Sequence, residues 1–176
     1  MAVATQSPAP VRPLPPGLAA ELAAIVGARR VLERASELVT YVSDGLPGLR
    51  RTPALAVFPG TRDELVAVVR LLAARGVAFV PRGAGTGLSG GALADGVVLV
   101  GLNRLVRILD VDVANRLAVV EPGVVNATLQ KAVAPHGLHY APDPSSQAAC
   151  TVGGNVAENA GGPHCLKYGV TTNHVL

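Results

Sequence analysis

The chain has 176 residues, of which 49% are apolar and 15% charged, and its formal net charge is +3. This length suits one domain with a real hydrophobic core. The positive charge comes almost wholly from scattered arginines, tryptophan is absent, and no uninterrupted apolar run is long enough to cross a bilayer, which argues against a nucleic-acid surface and against a membrane segment.

The first third of the chain carries no chemical motif. Residues 1–17 are rich in Pro and Ala and lack the pattern of a secretory signal, which predicts a disordered tail. Residues 18–53 form a predicted helical segment, because apolar residues recur at helical spacing up to about residue 42 and Gly27 divides two short helices. A loop is expected over 44–53.

The next residues predict an α+β (α/β) fold in the stretch 54–176. Strands are expected at 54–59, 76–81 and 96–102, with a helix between the first two that starts at a Thr61–Glu64 capping box. Such a strand–helix–strand unit makes the two strands parallel. A hairpin at 106–112 and 116–123, a helix at 125–134 and an extended segment at 138–144 follow.

The first glycine-rich segment reads PRGAGTGLSGG (81–91) and follows an apolar strand. It fits the pattern GxGxxG, but no helix fits before the next strand, so a Rossmann site is rejected. Tight turns account for one or two of the five glycines. Consecutive main-chain N–H groups with Thr86 and Ser89 between them favour an anion-binding nest for phosphate.

The second glycine-rich segment reads TVGGNVAENAGG (151–162). Thr151 can cap a short helical turn, and Gly153 and Gly154 leave its face bare for a flat ligand. Asn155 and Asn159 are four residues apart, so their amides could point to one side. A purely structural glycine loop explains either segment alone, but two of them outside regular elements predict one shared ligand.

Together with PDPSS (142–146), these two motifs resemble the flavin-binding half of the FAD-linked oxidases, which share a domain with vanillyl-alcohol oxidase and p-cresol methylhydroxylase. Within that family the sequence is most similar to the glycolate oxidase large subunit and to FAD-dependent D-lactate and D-2-hydroxyglutarate dehydrogenases. The resemblance runs from about residue 18 to 176. It implies a PCMH-type FAD-binding domain of two subdomains, of which this chain is the first.

The resemblance also implies which residues bind FAD. The pyrophosphate loop comprises Pro81, Arg82, Gly83, Ala84, Gly85, Thr86, Gly87, Leu88, Ser89 and Gly90. The flavin side is lined by Pro142, Asp143, Ser145 and Ser146, and the ribityl chain and ring by Thr151, Val152, Gly153, Gly154, Asn155, Ala157, Asn159, Ala160, Gly161 and Gly162. A segment closing over the cofactor corresponds to Tyr168, Gly169 and Val170, and a flavin-adjacent turn to 121–124. No histidine lies in 82–91, which implies non-covalent FAD.

The implied activity is oxidation of a D-2-hydroxy acid such as glycolate, D-lactate or D-2-hydroxyglutarate, with electrons passed on to another acceptor or to other oxidase subunits. We expect the chain to be a truncated part of such an enzyme, without its catalytic residues and with weak FAD binding at most. Two alternatives stay open: a reductase resembling UDP-N-acetylenolpyruvoylglucosamine reductase, and a non-catalytic flavin-binding subunit or remnant.

The two cysteines, Cys150 and Cys165, are too far apart for a CxxC unit, and His164 beside Cys165 makes a poor zinc site. They are interpreted as free thiols in a reducing compartment, with no metal bound. The chain is therefore expected to be cytoplasmic, at most held near a membrane by partner subunits.

Overall fold

The structure is a computed structural model that describes residues 13–46 and 48–176. Most of the predicted N-terminal tail lies outside the described residues. Helix α1 (Leu18–Val26) ends at Gly27, as predicted. A 3-10 turn then leads into β1 (Val31–Leu32), and α2 (Ala35–Leu38) follows. The sequence did not predict β1, because two residues are too few to show an alternating pattern.

The main sheet has four strands in the order β1–β2–β4–β3, where β2 is Leu55–Val57, β3 is Phe79–Arg82 and β4 is Val98–Gly101. β1 is antiparallel to β2, whereas β2 and β3 are each parallel to β4. The predicted parallel pair is therefore confirmed in direction, with β4 inserted between its members.

Helix α3 (Arg62–Ala74) connects β2 to β3 and begins where the capping box predicts. The Thr61 hydroxyl accepts a hydrogen bond of 3.1 Å from the Glu64 N–H. The Glu64 carboxylate does not accept from the Thr61 N–H, as a capping box would have it, but from the N–H of Gly60 at 2.6 Å. It also accepts a hydrogen bond of 2.8 Å from the Arg30 guanidinium. The cap therefore ties the helix to the chain before β1 as well.

Both faces of this sheet are covered, because its strands alternate apolar side chains above and below. Val98 and Val100 face α1 and α3 in one buried cluster, and Leu99 faces the opposite cluster around Phe58 and Leu38. The sheet is thereby fixed as a rigid platform, and the loop that follows β3 starts from a fixed point.

A second group of elements packs beside this platform. Strands β5 (Ile108–Asp112) and β6 (Leu117–Val120) form the predicted antiparallel hairpin. Helix α4 (Asn126–Val133) lies against the hairpin through a cluster of Val124, Leu129 and Val133.

The C-terminal region holds more regular structure than the sequence predicted. The segment 151–162 is not simply a glycine loop, because α5 (Val152–Glu158) runs for two turns within it. Helix α6 (Cys165–Tyr168) and a 3-10 turn at Thr171–His174 follow. Among the helices of the described residues, none is both long and apolar enough to span a membrane.

Candidate cofactor-binding site

The two glycine-rich segments line one cleft of about 1430 Å³. This volume exceeds the roughly 300–1,000 Å³ of most small-ligand pockets. The walls come from residues 83–88 after β3, 116–120 at β6, 137–140, 144–146, and 150–158 along α5. The cleft thus opens beyond the carboxyl end of β3, the place where open α/β sheets generally bind ligands.

The first segment presents a run of main-chain donors at this cleft. From Ala84 to Ser89, no main-chain N–H has a hydrogen-bond acceptor among the described residues. The run ends at Gly90, whose N–H donates to the Asp44 carboxylate at 3.0 Å. Main-chain donors that find no acceptor in the chain require one from solvent or from a ligand. A turn with successive open N–H groups is an anion-binding concavity.

The Arg82 side chain packs against Gly85 in this run of donors, and its hydrogen bonds go to other segments. Its guanidinium donates to the carbonyl oxygens of Ser43 at 2.9 Å and Ala92 at 3.3 Å, and it lies over the Tyr41 ring. Burial lowers the pKa of Arg82, while the nearby Asp44 carboxylate opposes that shift. Arg82, which could have supplied charge to a phosphate, instead supports the loop through its hydrogen bonds to Ser43 and Ala92.

The segment 41–46 therefore matters to the site, although the sequence analysis found no chemistry there. Its Ser43 carbonyl accepts a hydrogen bond from Arg82, and its Gly45 N–H donates to the Gly87 carbonyl at 2.9 Å. The residues involved lie about 40 positions upstream of the loop. No local pattern in the sequence could have indicated this contact.

The two glycine-rich segments touch each other directly. An added Cβ at Gly83 would collide with the Thr151 hydroxyl, so the first loop passes against the start of α5. At Gly153 an added Cβ would lie 2.7 Å from the Pro122 Cβ and 2.9 Å from its carbonyl oxygen. Glycine at these two positions lets three chain segments meet at the floor of the cleft.

A buried amide network fixes α5 to α4. Asn126 is fully buried and donates from Nδ2 to the Pro142 carbonyl at 2.8 Å and to Asn155 Oδ1 at 3.3 Å. Asn155 Nδ2 in turn contacts the Cys150 sulfur at 3.5 Å. Sequence reasoning missed Asn126, which looked like an ordinary helix residue.

Asn159 serves a different purpose from Asn155. It ends α5 in a left-handed conformation, and its Oδ1 accepts from Thr172 N at 3.0 Å and from Thr172 Oγ1 at 2.6 Å. Both amides are therefore engaged within the protein, although Asn155 also reaches the lining of the cleft.

The PDPSS motif is held by an acid–histidine contact. Asp143 Oδ2 lies 2.5 Å from His164 Nδ1, while its Oδ1 is buried against Gly162 with no partner in the described part of the chain. Burial raises the pKa of the Asp143 carboxyl, but its hydrogen bonds to His164 outweigh this and leave the pKa below its ordinary value. The contact orders the loop that carries Ser145 and Ser146 to the cleft.

The structure brings most of the predicted site residues to the cleft. Those that line it are Pro81, Gly83, Ala84, Gly85, Thr86, Gly87, Leu88, Ser145, Ser146, Thr151, Val152, Gly153, Gly154, Asn155, Ala157 and Ala160. Those outside its lining are Arg82, Ser89, Gly90, Pro142, Asp143, Asn159, Gly161, Gly162, Tyr168, Gly169 and Val170. Residues 174–176, which follow the predicted closing segment, also line the cleft.

Two charged residues of the lining were not predicted as ligands. Arg116 lies at the β5–β6 turn with a φ of 58°. Glu158 closes α5, and its Oε2 accepts a hydrogen bond of 3.1 Å from the Ser89 hydroxyl. The remaining lining is largely apolar or glycine, which suits a ligand with a flat hydrophobic part and one anionic part.

Comparison with known proteins agrees with this geometry. A family model described as FAD binding domain matches residues 53–176, well over half of the chain. Glycolate oxidase subunit GlcD of Escherichia coli K12 is 51% identical over 148 residues, which are 83% of this chain and 30% of that protein. D-2-hydroxyglutarate dehydrogenase of Stutzerimonas stutzeri A1501 is 38% identical over 161 residues, or 91% of this chain and 35% of that protein.

A solved structure confirms the predicted fold. p-Cresol methylhydroxylase superposes with a TM-score of 0.70 at 22% identity, over 81% of this chain and 29% of that one. The chain spans about a third of the length of the curated relatives it matches. Its cleft, its fold and the family match agree, and the chain belongs to the FAD binding domain family, as the motifs in its sequence predicted.

Proposed function

We propose that this chain is the first half of the FAD cradle of an oxidoreductase that acts on D-2-hydroxy acids. One observation carries the proposal: two glycine-rich segments some 60 residues apart line one cleft, and in the first the lining residues Ala84 to Leu88 have main-chain N–H groups with no acceptor among the described residues. A diphosphate is an acceptor of the right kind for such a run of donors.

The residues present fit FAD by their shape and their chemistry. Side chains are missing where the chain approaches the cleft most closely, at Gly83 and Gly153, and a Cβ at either would push apart the segments that form the floor. In our proposal the loop 83–90 holds the diphosphate with main-chain N–H groups and the Thr86 hydroxyl. The bare start of α5 and the PDPSS loop hold the flavin and its ribityl chain without a covalent bond.

FAD supplies an acceptor for the hydride that leaves the hydroxyl-bearing carbon of the substrate. The work of this chain is to bind and orient that group. Apolar residues of the lining, including Leu117, Val119 and Leu129, form one apolar wall of the cleft. We assign no acid, base or substrate-binding residue within these 176 residues.

The relatives support the proposed substrate class. Proteins named for glycolate and for D-2-hydroxyglutarate are similar to this chain over most of its length. We therefore propose a short D-2-hydroxy acid such as glycolate, D-lactate or D-2-hydroxyglutarate. We also propose a cytoplasmic location, with further oxidase subunits or a separate electron acceptor as partners.

FAD binding is tested on the chain itself. Amide NMR shifts of residues 84–89 should move saturably with FAD, with a dissociation constant in about the micromolar-to-millimolar range. Gly87→Val should raise that constant at least about tenfold without unfolding the protein, because an added Cβ at Gly87 meets only the Glu158 side chain, at 3.6 Å or more. Gly48→Val is the matched control, since nothing lies within 4 Å of its added Cβ.

Unchanged shifts at 84–89, or equal FAD affinity in Gly87→Val and the parent, would contradict the assignment of the loop. The activity needs a separate test. The assembly that contains this chain, purified from its source cells through a tag on the chain, should lose oxidised-flavin absorbance when glycolate, D-lactate or D-2-hydroxyglutarate is added without oxygen. L-Lactate is the control, and no response to any of the three acids would refute the substrate class.

A further inference from the structure

The first glycine loop lies along α5 and contacts it at both ends. At one end Gly83 sits against the Thr151 hydroxyl, which also caps α5 by accepting from the Gly154 N–H at 3.2 Å. At the other end the Ser89 hydroxyl donates to Glu158 Oε2 at 3.1 Å, and an added Cβ on Gly91 would lie 2.7 Å from Glu158 Oε1. The open donors of Ala84 to Leu88 lie between these two contacts.

The position of Glu158 is not explained by helix stability. A carboxylate at the C-terminal end of a helix faces the unfavourable end of its dipole. It also lies beside the loop proposed to receive a diphosphate, where a second negative charge works against binding. Among the described residues, its one side-chain hydrogen bond is the one it accepts from Ser89, a residue 69 positions away in the chain.

We propose that Glu158 is a positioning residue: its side-chain oxygen accepts the Ser89 hydroxyl and thereby holds the 83–91 loop in the conformation that binds the diphosphate. The proposal rests on the proposed function, and it deepens it by naming what fixes the loop. It requires an acceptor at this position and does not require a negative charge.

The acceptor requirement separates this role from its main competitor. If the carboxylate instead filled the anion site and competed with the diphosphate, removing its charge would strengthen FAD binding. Glu158→Gln keeps an acceptor oxygen and removes the charge, whereas Glu158→Ala removes both. Ser89→Ala removes the donor from the other side.

The first measurement needs no ligand. Backbone order parameters of residues 84–91 in the 176-residue chain should fall from about 0.85 to below about 0.6 in Glu158→Ala and in Ser89→Ala, and no further in the double variant. Glu158→Gln should restore the parent values. Glu33→Ala, at an exposed glutamate outside the cleft lining, is the control and should change nothing.

The second measurement is FAD titration of the same variants. Glu158→Ala and Ser89→Ala should each weaken binding about fivefold, the double variant should be no weaker than either, and Glu158→Gln should match the parent. Tighter binding by Glu158→Gln, additive losses, or an ordered loop in Glu158→Ala would each overturn the proposal. If the parent protein binds no FAD, the proposed function fails, while the order parameters still decide whether Glu158 holds the loop.

Discussion

The two glycine-rich segments look alike in sequence but use glycine for different physical reasons. In the first, Gly85 has a φ of 70° and lies directly over the Arg82 guanidinium, so the loop depends on a left-handed turn. In the second, Gly153 lies inside a helix, and its missing side chain makes room for Pro122. Gly85 is thus required for its backbone conformation, whereas Gly153 is required for packing.

The two segments are also fixed by different kinds of contact. The first is an irregular loop, braced from behind by Arg82 and by residues 43–45, with its N–H groups left open. The second is a capped helix fixed by the buried amides of Asn126 and Asn155. The donors for an anion are thus on a loop, and the rigid wall against which a flat group can lie is on a helix.

The largest effect on the free energy of unfolding is expected from alanine substitution of two neighbouring glycines in the second segment. Alanine is favoured over glycine in a helix by up to about 1 kcal/mol, and Gly153→Ala and Gly154→Ala, both in the first turn of α5, share this gain. At Gly153 the contact with Pro122 should outweigh it and lower the free energy of unfolding by about 2–3 kcal/mol. At Gly154 only the Thr151 hydroxyl is near, at 3.2 Å, so the change should stay within about 1 kcal/mol.

Urea denaturation of both variants measures the difference. Equal stabilities would mean that the approach of Pro122 to α5 does not require glycine, and the contrast between packing and backbone conformation would then be lost.

A smaller effect is expected from a matched pair in the first loop. Gly85→Ala should lower the free energy of unfolding by about 1–2 kcal/mol, because a Cβ is disfavoured at positive φ and would displace the Arg82 side chain. Gly87→Ala, in the same loop, meets only Glu158 at ordinary contact distance and should be nearly neutral. Thermal unfolding followed by circular dichroism compares the two variants. Unchanged stability in Gly85→Ala would contradict the conclusion that this turn needs glycine.

The smallest effect on stability is expected at Glu121, which precedes the Pro122 that packs against Gly153. Buried Glu121 accepts hydrogen bonds from the Arg107 side chain and main chain, at 2.7 to 3.1 Å, and these lower the pKa of its carboxyl. The stabilisation should therefore be complete above the unfolded pKa of about 4.3 and should be lost as the pH falls through the lower folded value. The effect is small because Arg107 is largely exposed.

Urea denaturation of the parent and of Glu121→Gln between about pH 3 and 7 checks this sign. The advantage of the parent should shrink as the pH falls below about 4. A constant advantage across that range would show that the ionised carboxylate contributes nothing.

Much of the architecture could be predicted from local patterns. The Thr61 cap, the apolar strand around Leu99 and the α4 spacing of Leu129 and Val133 each express the requirements of one element, so the strands and helices between residues 54 and 134 were found. The short strand β1 and the full length of α5 were not, because two residues show no period and paired glycines disguise a helix.

The sequence by itself determined an α+β domain whose first glycine-rich segment suits a phosphate, because turn, cap and strand preferences act over a few neighbouring residues. The flavin was implied by the resemblance of its motifs to the FAD-linked oxidases. Only the tertiary structure decided that Arg82 turns back to Ser43, that Asn155 is buried against Asn126, and that Ser89 meets Glu158. Each of these contacts joins residues between 29 and 69 positions apart. Side-chain direction at such sites depends on which segments the folded sheet brings together, and no local period carries that information.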